Sequence, residues 1–391
     1  MNKTIDFIYF NAGGGHRATA LALQQAIEFE RRPWNVRLVN LFEVLDPKAN
    51  FNKVMRCAPE DLYNFRLRHG LTLGLSTELK LFQAMIKMGH SAMVRKLEQH
   101  WRDTKPDHVV SLVPNFNKAL YESVTSALPT VPFVTVLTDM ADYPPHFWIE
   151  PNQAQHLVCG TSHAAEQART AGYTDEQISL TSGMILRPAF YEQPEIDHET
   201  ECLELGLDPE KPTGIVMFGG HGSSDMLRIA KALPDIQLIF LCGMNATLNK
   251  KISALKPSVR HVVIGFTQKI NHYMQLGDFF IGKPGPSSLS EAVHMGLPVI
   301  TFGNAWTMPQ ERYNTNWVRE QGVGLVIPSL RAIRKGVLAL LENLPAYKDT
   351  VSRIENRAVF EVTDILDRLM SRADTERATV TLRADTSGAD A

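Results

Sequence analysis

Short apolar runs alternate with longer helix-compatible stretches along most of this chain, and the alternation occurs in two series. The first series comprises Ile5–Phe10, Val36–Leu41, His108–Val113, Phe133–Leu137 and His156–Cys159. The second comprises Gly214–Phe218, Gln237–Leu241, His261–Ile264, Asp278–Ile281, Pro298–Phe302 and Gly324–Ile327. This is the rhythm of βαβ units, in which helices cover both faces of a parallel sheet. The pattern therefore predicts an α/β protein with two doubly wound, Rossmann-like domains that face each other across a cleft.

The segment between the two series has the composition of a linker. Arg187-Pro188-Ala189-Phe190-Tyr191 leads into an acid-rich stretch that contains Pro194, Pro209 and Pro212. The last residues carry few large apolar side chains, too few to offset the entropy cost of ordering them. We predict an N-terminal domain over residues 1–190, a linker over 191–212, a C-terminal domain over 213–370 and a disordered tail over 371–391.

Charge and cysteine content exclude several classes of protein. The chain has 40 Lys and Arg against 42 Asp and Glu, so no global field favours a nucleic-acid partner, and none is predicted. Its four cysteines are far apart and include no C-x-x-C, which indicates reduced thiols in a cytosolic protein. The N-terminus lacks the features of a signal peptide, and no window reaches the ~18 apolar residues of a transmembrane helix. We expect a cytoplasmic protein whose membrane contacts are peripheral.

A glycine-rich turn follows the first predicted strand. Its sequence, Asn11-Ala12-Gly13-Gly14-Gly15-His16, leads directly into an Ala- and Leu-rich helix. Glycines allow a ligand to approach the backbone, and a helix N-terminus offers free N–H groups. His16 is a candidate general base because imidazole titrates near neutrality. The alternative is a helix-capping polar residue in a plain βα turn.

The second domain repeats this device after its own first strand, at Gly219, Gly220 and His221. A later turn, Gly282-Lys283-Pro284-Gly285, precedes a helix start at Pro286, with Ser287 and Ser288 as predicted capping hydroxyls. That helix N-terminus would point at a phosphate, and Lys283 would add a charge for a diphosphate. Glu291, one turn further, would accept hydrogen bonds from ribose hydroxyls. The alternatives are a plain loop for His221 and an ordinary capped helix for Glu291.

A further polar set begins the helix after the next strand. Gln310, Glu311 and Asn314 include an i, i+4 pair and suit sugar hydroxyls. The alternative is a solvated first helical turn.

Together these motifs resemble the inverting GT-B glycosyltransferases that include plant and bacterial monogalactosyldiacylglycerol synthases and diacylglycerol glucosyltransferases. The peptidoglycan lipid-intermediate N-acetylglucosaminyltransferase is a more distant relative. The resemblance extends over most of residues 5–325 and rests on five ordered blocks. They are Gly13-Gly14-Gly15-His16-Arg17-Ala18; Val136-Leu137-Thr138-Asp139 with His146 and Trp148; Gly183 to Phe190; Lys283-Pro284-Gly285 through Glu291; and Gln310-Glu311 with Asn314.

The resemblance implies that the second domain binds a UDP-sugar. Glu291 would hold the ribose, and the loop formed by Gly285, Pro286, Ser287 and Ser288 would hold the diphosphate. The backbone of Gly265 and Phe266 would read the uracil, and Gln310, Glu311 and Asn314 would hold the sugar. The first domain would bind the acceptor through the loop of Gly13, Gly14 and Gly15 with His146 and Trp148. Either His16 or Asp139 would act as the base.

The spacing of Asp139 and Asp142 differs from a metal-binding D-x-D, so no catalytic metal and no cofactor beyond the UDP-sugar substrate are predicted. The helix dipole, backbone N–H groups and Lys283 would stabilise the leaving group instead.

A basic segment with an apolar stripe lies between residues 62 and 97, where six Lys or Arg oppose one acid. We predict that it docks on an anionic membrane surface at the inner face of the cell membrane. The alternative is that the stripe packs in the core. The candidate membrane contacts are Arg66, Arg68, Lys80, Phe82, Ile86 and Lys87.

The sequence therefore predicts an inverting transferase that moves a hexose from a UDP-sugar to a lipid acceptor, with diacylglycerol as the expected acceptor. One alternative is a UDP-sugar 2-epimerase of the same architecture, which has no need of a lipid-facing surface. Another is a non-catalytic nucleotide-sugar-binding protein, which has no need of a base on the acceptor side.

Overall fold

The computed structural model describes residues 2–11, 15–47, 75–192, 195–304 and 307–387. The chain forms two compact units. The first contains the N-terminal strands, Ser76–Arg187 and the chain from Arg357 onward, and the second contains Pro188–Asn356.

The first unit is built on a six-stranded parallel sheet with the order β2-β1-β3-β4-β5-β6. Its strands are β1 (Lys3–Tyr9), β2 (Trp34–Asn40), β3 (His108–Ser111), β4 (Phe133–Val136), β5 (His156–Cys159) and β6 (Ile178–Leu180). Its connecting helices are α1 (Gly15–Phe29), α2 (Leu41–Leu45), α3 (Leu75–Thr104), α4 (Asn117–Ala127) and α5 (Ser162–Thr170). Every residue of β3 and β4 is buried, as expected for central strands covered on both faces.

The second unit has a six-stranded parallel sheet with the order β12-β11-β10-β7-β8-β9. Its strands are β7 (Thr213–Met217), β8 (Gln237–Leu241), β9 (His261–Ile264), β10 (Phe279–Gly282), β11 (Val299–Phe302) and β12 (Gly324–Ile327). Its helices are α6 (His198–Glu204), α7 (Ser224–Ala232), α8 (Ala246–Ser253), α9 (Ile270–Gln275), α10 (Pro286–His294), α11 (Arg312–Glu320), α12 (Ile333–Glu342) and α13 (Leu344–Ser352). The prediction of two doubly wound α/β domains is confirmed.

The last helix, α14 (Ala358–Ser387), corrects two predicted limits. It belongs to the first unit. The second unit therefore ends at Asn356, whereas the sequence predicted a C-terminal domain that extends to residue 370. The Phe360 ring of α14 lies 6.1 Å from the Phe29 ring of α1, and Asp364 pairs with Arg32. Residues 371–387 of the predicted tail are helical rather than disordered, because a helix already anchored by buried residues extends at little cost.

The predicted linker also belongs to a folded unit. The chain passes from the first unit to the second between Arg187 and Pro188, and residues 191–212 lie in the second. Cys202 of α6 is buried, and the Gln237 side-chain amide donates to the carbonyls of Asp208 and Lys211 at 2.9 and 3.1 Å. These contacts attach the segment to the start of β8.

None of the helices in the described ranges combines the length and the apolarity that crossing a membrane requires.

Candidate functional site

Candidate residues of the first unit collect where neighbouring parallel strands end. The chain order of the sheet reverses between β1 and β3, which is the position where doubly wound proteins open a ligand crevice. His16 is the second residue of α1, after β1, and Thr138 and Asp139 follow β4. The sheet topology thus brings separate parts of the sequence to one edge.

His16 lies among aromatic and backbone neighbours. Its ring centroid is 4.6 Å from that of Phe10 and 5.9 Å from that of Trp148, and its Nδ1 is 3.1 Å from the Thr138 hydroxyl oxygen. Burial lowers the pKa of His16 to about 4, and a hydrogen bond to the backbone of Leu112 opposes that shift. The imidazole is therefore neutral at pH 7 and has a lone pair with which to accept a proton.

Asp139, the second candidate base, shares a neighbour with His16. Its carboxylate is buried, and Oδ2 accepts a hydrogen bond from the indole Nε1 of Trp148 at 2.9 Å. The same indole packs beside His16. Trp148 is fully buried, and its carbonyl accepts from the Asn117 side chain at 2.9 Å, which fixes the indole between the two candidate bases.

Asp142 organises the loop that carries Trp148. Its carboxylate accepts backbone N–H bonds from His146 at 3.0 Å, Trp148 at 2.6 Å and Ile149 at 3.4 Å. Burial raises the pKa of Asp142, and these three bonds oppose the rise. In the described part of the chain, no three His, Cys, Asp or Glu side chains converge as metal ligands. Through its three backbone hydrogen bonds, Asp142 holds the loop of His146, Trp148 and Ile149 in place.

The remaining acceptor-side predictions differ in outcome. Gly15 begins α1, whereas Gly13 and Gly14 lie outside the described residues. His146 is exposed, and its Nδ1 is 3.2 Å from the carbonyl oxygen of Ile149. His146 thus lies in the loop that Asp142 organises, and its role at the acceptor stays a prediction.

In the second unit, Lys283 joins three of the predicted motifs at the corresponding reversal of chain order, between β7 and β10. Its Nζ donates to Glu311 Oε1 at 2.8 Å. A methyl group added to Gly285 would lie 3.4 Å from Lys283 Cε, and one added to Gly219 would lie 3.8 Å from the same atom. The lysine predicted for the diphosphate and the acid predicted for the sugar are therefore an ion pair.

Helix α10 begins differently from the prediction. Gly285 is its N-cap and Pro286 is the first helical residue, so the N-cap offers no side chain to accept a hydrogen bond from the first turn. The prediction that Ser287 and Ser288 cap the helix is wrong, because both already lie within it. An uncapped first turn leaves backbone N–H groups for a ligand anion. Glu291 lies in the next turn and is partly exposed.

Asn314 supports the turn before α10. It is fully buried, and its Nδ2 donates to the Pro284 carbonyl at 2.7 Å. Its Oδ1 has no hydrogen-bond partner among the described residues. Gln310 is partly buried, with Nε2 3.8 Å from the sulfur of Met308. Of the three residues predicted for the sugar, Asn314 thus contacts the Lys283-Pro284-Gly285 turn, and Glu311 contacts Lys283.

The loop after β7 contacts the loop after β8. Gly219 has a φ of 74°, a backbone conformation that favours glycine. The Gly220 carbonyl accepts from the Met244 N–H at 2.9 Å, and the His221 carbonyl accepts from the Asn245 side chain at 3.3 Å. These bonds fix a loop that has little side-chain bulk of its own.

Gly265 and Phe266 follow β9, the strand beyond β8, and the Phe266 side chain is 67% exposed. β9 lies two strand spacings from β7, or about 10 Å. These two residues are thus separated by roughly that distance from the loop that follows β7, and by one more strand spacing from Lys283, which follows β10.

The predicted membrane contacts are only partly described. Arg66 and Arg68 lie outside the described residues, as does the side chain of Lys80. Phe82 and Ile86 pack against the core of the first unit, and the Phe82 ring lies 6.0 Å from that of Phe116. Both side chains are partly buried on the side that faces this core, so their assignment to a membrane surface stays a prediction.

The outward face of α3 is nevertheless partly apolar. Met85 is 50% exposed and Met88 is 84% exposed, and Lys87 between them is exposed. Met85, Lys87 and Met88 thus lie on the exposed side of α3, and Phe82 and Ile86 lie on the side that packs against the core.

Sequence reasoning missed several residues that position the candidate bases. Thr138 belongs to the Val136-Leu137-Thr138-Asp139 block but was assigned no role of its own there, although it precedes Asp139 at the same strand end. Leu112 and Asn117 had no such signal, because an apolar residue that acts through its backbone and a helical asparagine are common anywhere in a protein.

Two family models match most of the chain. Residues 16–184 match the family described as monogalactosyldiacylglycerol (MGDG) synthase, and residues 218–369 match the glycosyltransferase family 28 C-terminal domain.

Curated relatives are similar over both units. Monogalactosyldiacylglycerol synthase 1 of Arabidopsis thaliana is 28% identical over 85% of this chain and 64% of its own length. The processive diacylglycerol beta-glucosyltransferase of Bacillus subtilis is 26% identical over 90% of each chain. The chain thus spans slightly less than two thirds of the length of the Arabidopsis and spinach synthases.

Solved structures share the fold. The crystal structure of Acinetobacter baumannii MurG has a TM-score of 0.58 at 11% identity and covers 94% of this chain and 99% of its own. The glycosyltransferase SnogD from Streptomyces nogalater has a TM-score of 0.54 at 16% identity, with 95% and 100% covered. Since these chains include known glycosyltransferases, the two-sheet architecture is the GT-B fold. With both halves matched, this chain belongs to the monogalactosyldiacylglycerol synthase-like family of GT-B glycosyltransferases, with a family 28 C-terminal domain.

Proposed function

We propose that this protein is an inverting hexosyltransferase that moves a sugar from a UDP-sugar to the hydroxyl group of diacylglycerol. The observation that carries the proposal is the position of Lys283 beside the uncapped first turn of α10 and in contact with Glu311. A cation and a helix N-terminus suit a diphosphate, and a neighbouring carboxylate suits sugar hydroxyls.

The nucleotide would extend along the carboxyl edge of the second sheet. With the diphosphate at α10 and the loop of Gly219, Gly220 and His221, the base would reach the end of β9, where Gly265 and Phe266 lie. The spacing of about 10 Å between β7 and β9 suits the distance from diphosphate to base. Glu291, in the second turn of α10, would accept from the ribose hydroxyls.

The acceptor chemistry belongs to the first unit. A neutral His16 would take the proton from the attacking hydroxyl as its oxygen bonds to the anomeric carbon and the UDP leaves from the opposite side. Asp139 is the alternative base. Lys283 and the backbone N–H groups of α10 would stabilise the departing diphosphate, so the reaction as proposed uses no metal.

Diacylglycerol as the acceptor is supported by the names of the relatives. The plant proteins are monogalactosyldiacylglycerol synthases and the Bacillus protein is a diacylglycerol beta-glucosyltransferase. Both names specify a hexose and a diacylglycerol acceptor, although they differ in the hexose.

A lipid acceptor requires contact with a bilayer, and we propose peripheral docking on the anionic inner face of the cell membrane. The exposed face of α3, with Met85, Lys87 and Met88, suits such a surface because methionines can enter the headgroup region while lysine pairs with anionic lipid.

The test is a mass-spectrometric assay of the purified protein with liposomes of diacylglycerol and phosphatidylglycerol. UDP-galactose, UDP-glucose and UDP-N-acetylglucosamine are supplied together, and His16→Gln serves as the inactive comparison. A new glycolipid made by the wild type supports the proposal and identifies the donor, and its absence with His16→Gln favours His16 over Asp139 as the base. Conversion of a UDP-sugar to its epimer without a glycolipid would replace it with an isomerase, and UDP binding without turnover would indicate a binding protein.

A further inference from the structure

Glu311 places a nearly buried carboxylate against the cation that a donor diphosphate would use. Its side chain is 7% exposed, whereas that of Lys283 is 38% exposed. In the part of the chain that the structure describes, Lys283 is the basic residue paired with this carboxylate. A ligand anion at the first turn of α10 therefore meets a cation that already has a negative partner.

The two nucleotides of the proposed reaction differ in charge at this position. Free UDP ends in a phosphate monoester whose second pKa is about 6, so at pH 7 it carries roughly one more negative charge than a UDP-sugar. The UDP-sugar instead ends in a hexose, whose hydroxyl groups donate hydrogen bonds. UDP thus brings only acceptor oxygens towards Glu311, whereas the donor brings hydrogen-bond donors.

We propose that Glu311, paired with Lys283, makes this site bind a UDP-sugar in preference to free UDP and thereby promotes release of the product. The inference rests on the proposed transferase function and adds product discrimination to it. When a UDP-sugar binds, Lys283 contacts the diphosphate and the hexose hydroxyls take its place at Glu311. When UDP binds, nothing takes that place, and two negative groups share one cation. Selectivity for the UDP-sugar then comes from repulsion between Glu311 and the terminal phosphate of UDP, as well as from hydrogen bonds between Glu311 and the hexose hydroxyls.

The test is calorimetric titration of UDP, UDP-glucose and UDP-galactose into the wild type and Glu311→Gln. This substitution removes the charge but keeps the shape and an acceptor oxygen for Lys283. The control is Glu342→Gln, which makes the same change in net charge. Glu342 is exposed at the end of α12, and a helix that follows a parallel strand ends at the opposite edge of the sheet.

We expect Glu311→Gln to bind UDP about tenfold more tightly than the wild type, which corresponds to ~1.4 kcal/mol. Its affinity for the UDP-hexose substrate should be unchanged or lower, because a hydroxyl acceptor of full charge is lost. Glu311→Asp retains the charge and should retain weak UDP binding, which separates the charge effect from a folding defect. The preference of the wild type for UDP-hexose should also grow between pH 5.5 and pH 7.5, as the terminal phosphate ionises.

Equal UDP affinity in the wild type and Glu311→Gln, or an equal gain in Glu342→Gln, would overturn the discrimination role while leaving the transferase proposal intact. If the wild type binds neither UDP nor any UDP-hexose, the nucleotide site itself is refuted and both proposals fail.

Discussion

Replacing His16 with Gln tests both the electrostatics and the chemistry assigned to this residue. The ordinary pKa of histidine, 6.5, applies to the unfolded chain, and burial lowers the pKa of folded His16 to about 4. Between these values the unfolded state binds more protons than the folded state. The contribution of neutral His16 to stability is therefore complete above pH 6.5 and is lost as the pH falls towards 4. At pH 5 this effect lowers the free energy of unfolding by about 2 kcal/mol.

The measurement is guanidinium unfolding at pH 8 and pH 5, followed by tryptophan fluorescence, to which Trp101 and Trp148, fully buried in the first unit, contribute. We expect the free energy of unfolding to fall by ~2 kcal/mol less in His16→Gln than in the wild type. Comparing the two pH values within each protein removes any general cost of the substitution.

His156 supplies a matched control. Its pKa is also lowered to about 4, by burial and by the nearby charges of Arg368 and Arg372. It begins β5, at the opposite edge of the sheet from His16, with its Nε2 2.9 Å from the Ser179 hydroxyl oxygen. His156→Gln should show the same reduced pH sensitivity but full transferase activity, whereas His16→Gln should lose turnover and keep its affinity for UDP. An unchanged pH dependence in His16→Gln would refute the buried neutral imidazole, and full turnover would exclude it as the base.

Four further outcomes are expected. Trp148→Phe keeps a ring beside His16 but removes the N–H donated to Asp139, so turnover should fall while UDP affinity, measured by calorimetry, stays constant. Glu291→Ala should weaken UDP binding about tenfold, since hydrogen bonds to charged groups contribute ~1.5–3 kcal/mol, and unchanged affinity would remove Glu291 from the ribose site. Met88→Glu should reduce co-sedimentation with phosphatidylglycerol vesicles but not UDP binding; equal sedimentation would exclude this face of α3. Dialysis against EDTA should leave the rate of glycolipid formation unchanged, and a loss restored by a divalent cation would contradict the metal-free mechanism.

The apolar runs predicted the sheets well because a strand buried on both faces must be apolar throughout. Each of the eleven runs contains or overlaps an observed strand. Among the described residues, β6 is the one strand that no run predicted. β6 has only three residues, lies at the edge of its sheet and includes Leu180, which is 56% exposed. An edge strand of this length has no burial pattern to reveal it.

The domain limits were harder to predict because they depend on tertiary contacts. Composition made residues 191–212 resemble a linker, yet Gln237 attaches them to β8. Composition also made the segment after residue 371 resemble a disordered tail, yet the buried first half of α14 packs beside α1. Neither contact can be recognised from the amino-acid sequence of the segment that it orders.

In the candidate site too, the positions of residues could be predicted from the sequence, but their hydrogen-bond partners could not. Strand ends placed His16, Asp139 and Lys283 at the carboxyl edges of their sheets, where the structure has them. Hydrogen-bond partners depend on rotamers and loop paths, so the sequence separated Lys283 and Glu311 into different subsites although they form one ion pair.

The partners of the proposed catalytic residues have a common consequence for binding. His16 is kept neutral by burial, Asp139 is bonded to an indole, and Lys283 is paired with Glu311. A UDP-sugar that binds Lys283 as proposed must therefore replace the contact with Glu311, which lowers its affinity relative to a site with a free cation. A ligand that binds Lys283 but brings no hydroxyl groups to Glu311 leaves this buried carboxylate without a partner. That free-energy cost falls on UDP more than on the complete UDP-sugar. Such a site gains selectivity for the complete donor in exchange for affinity, as expected where the product shares most of the substrate's structure.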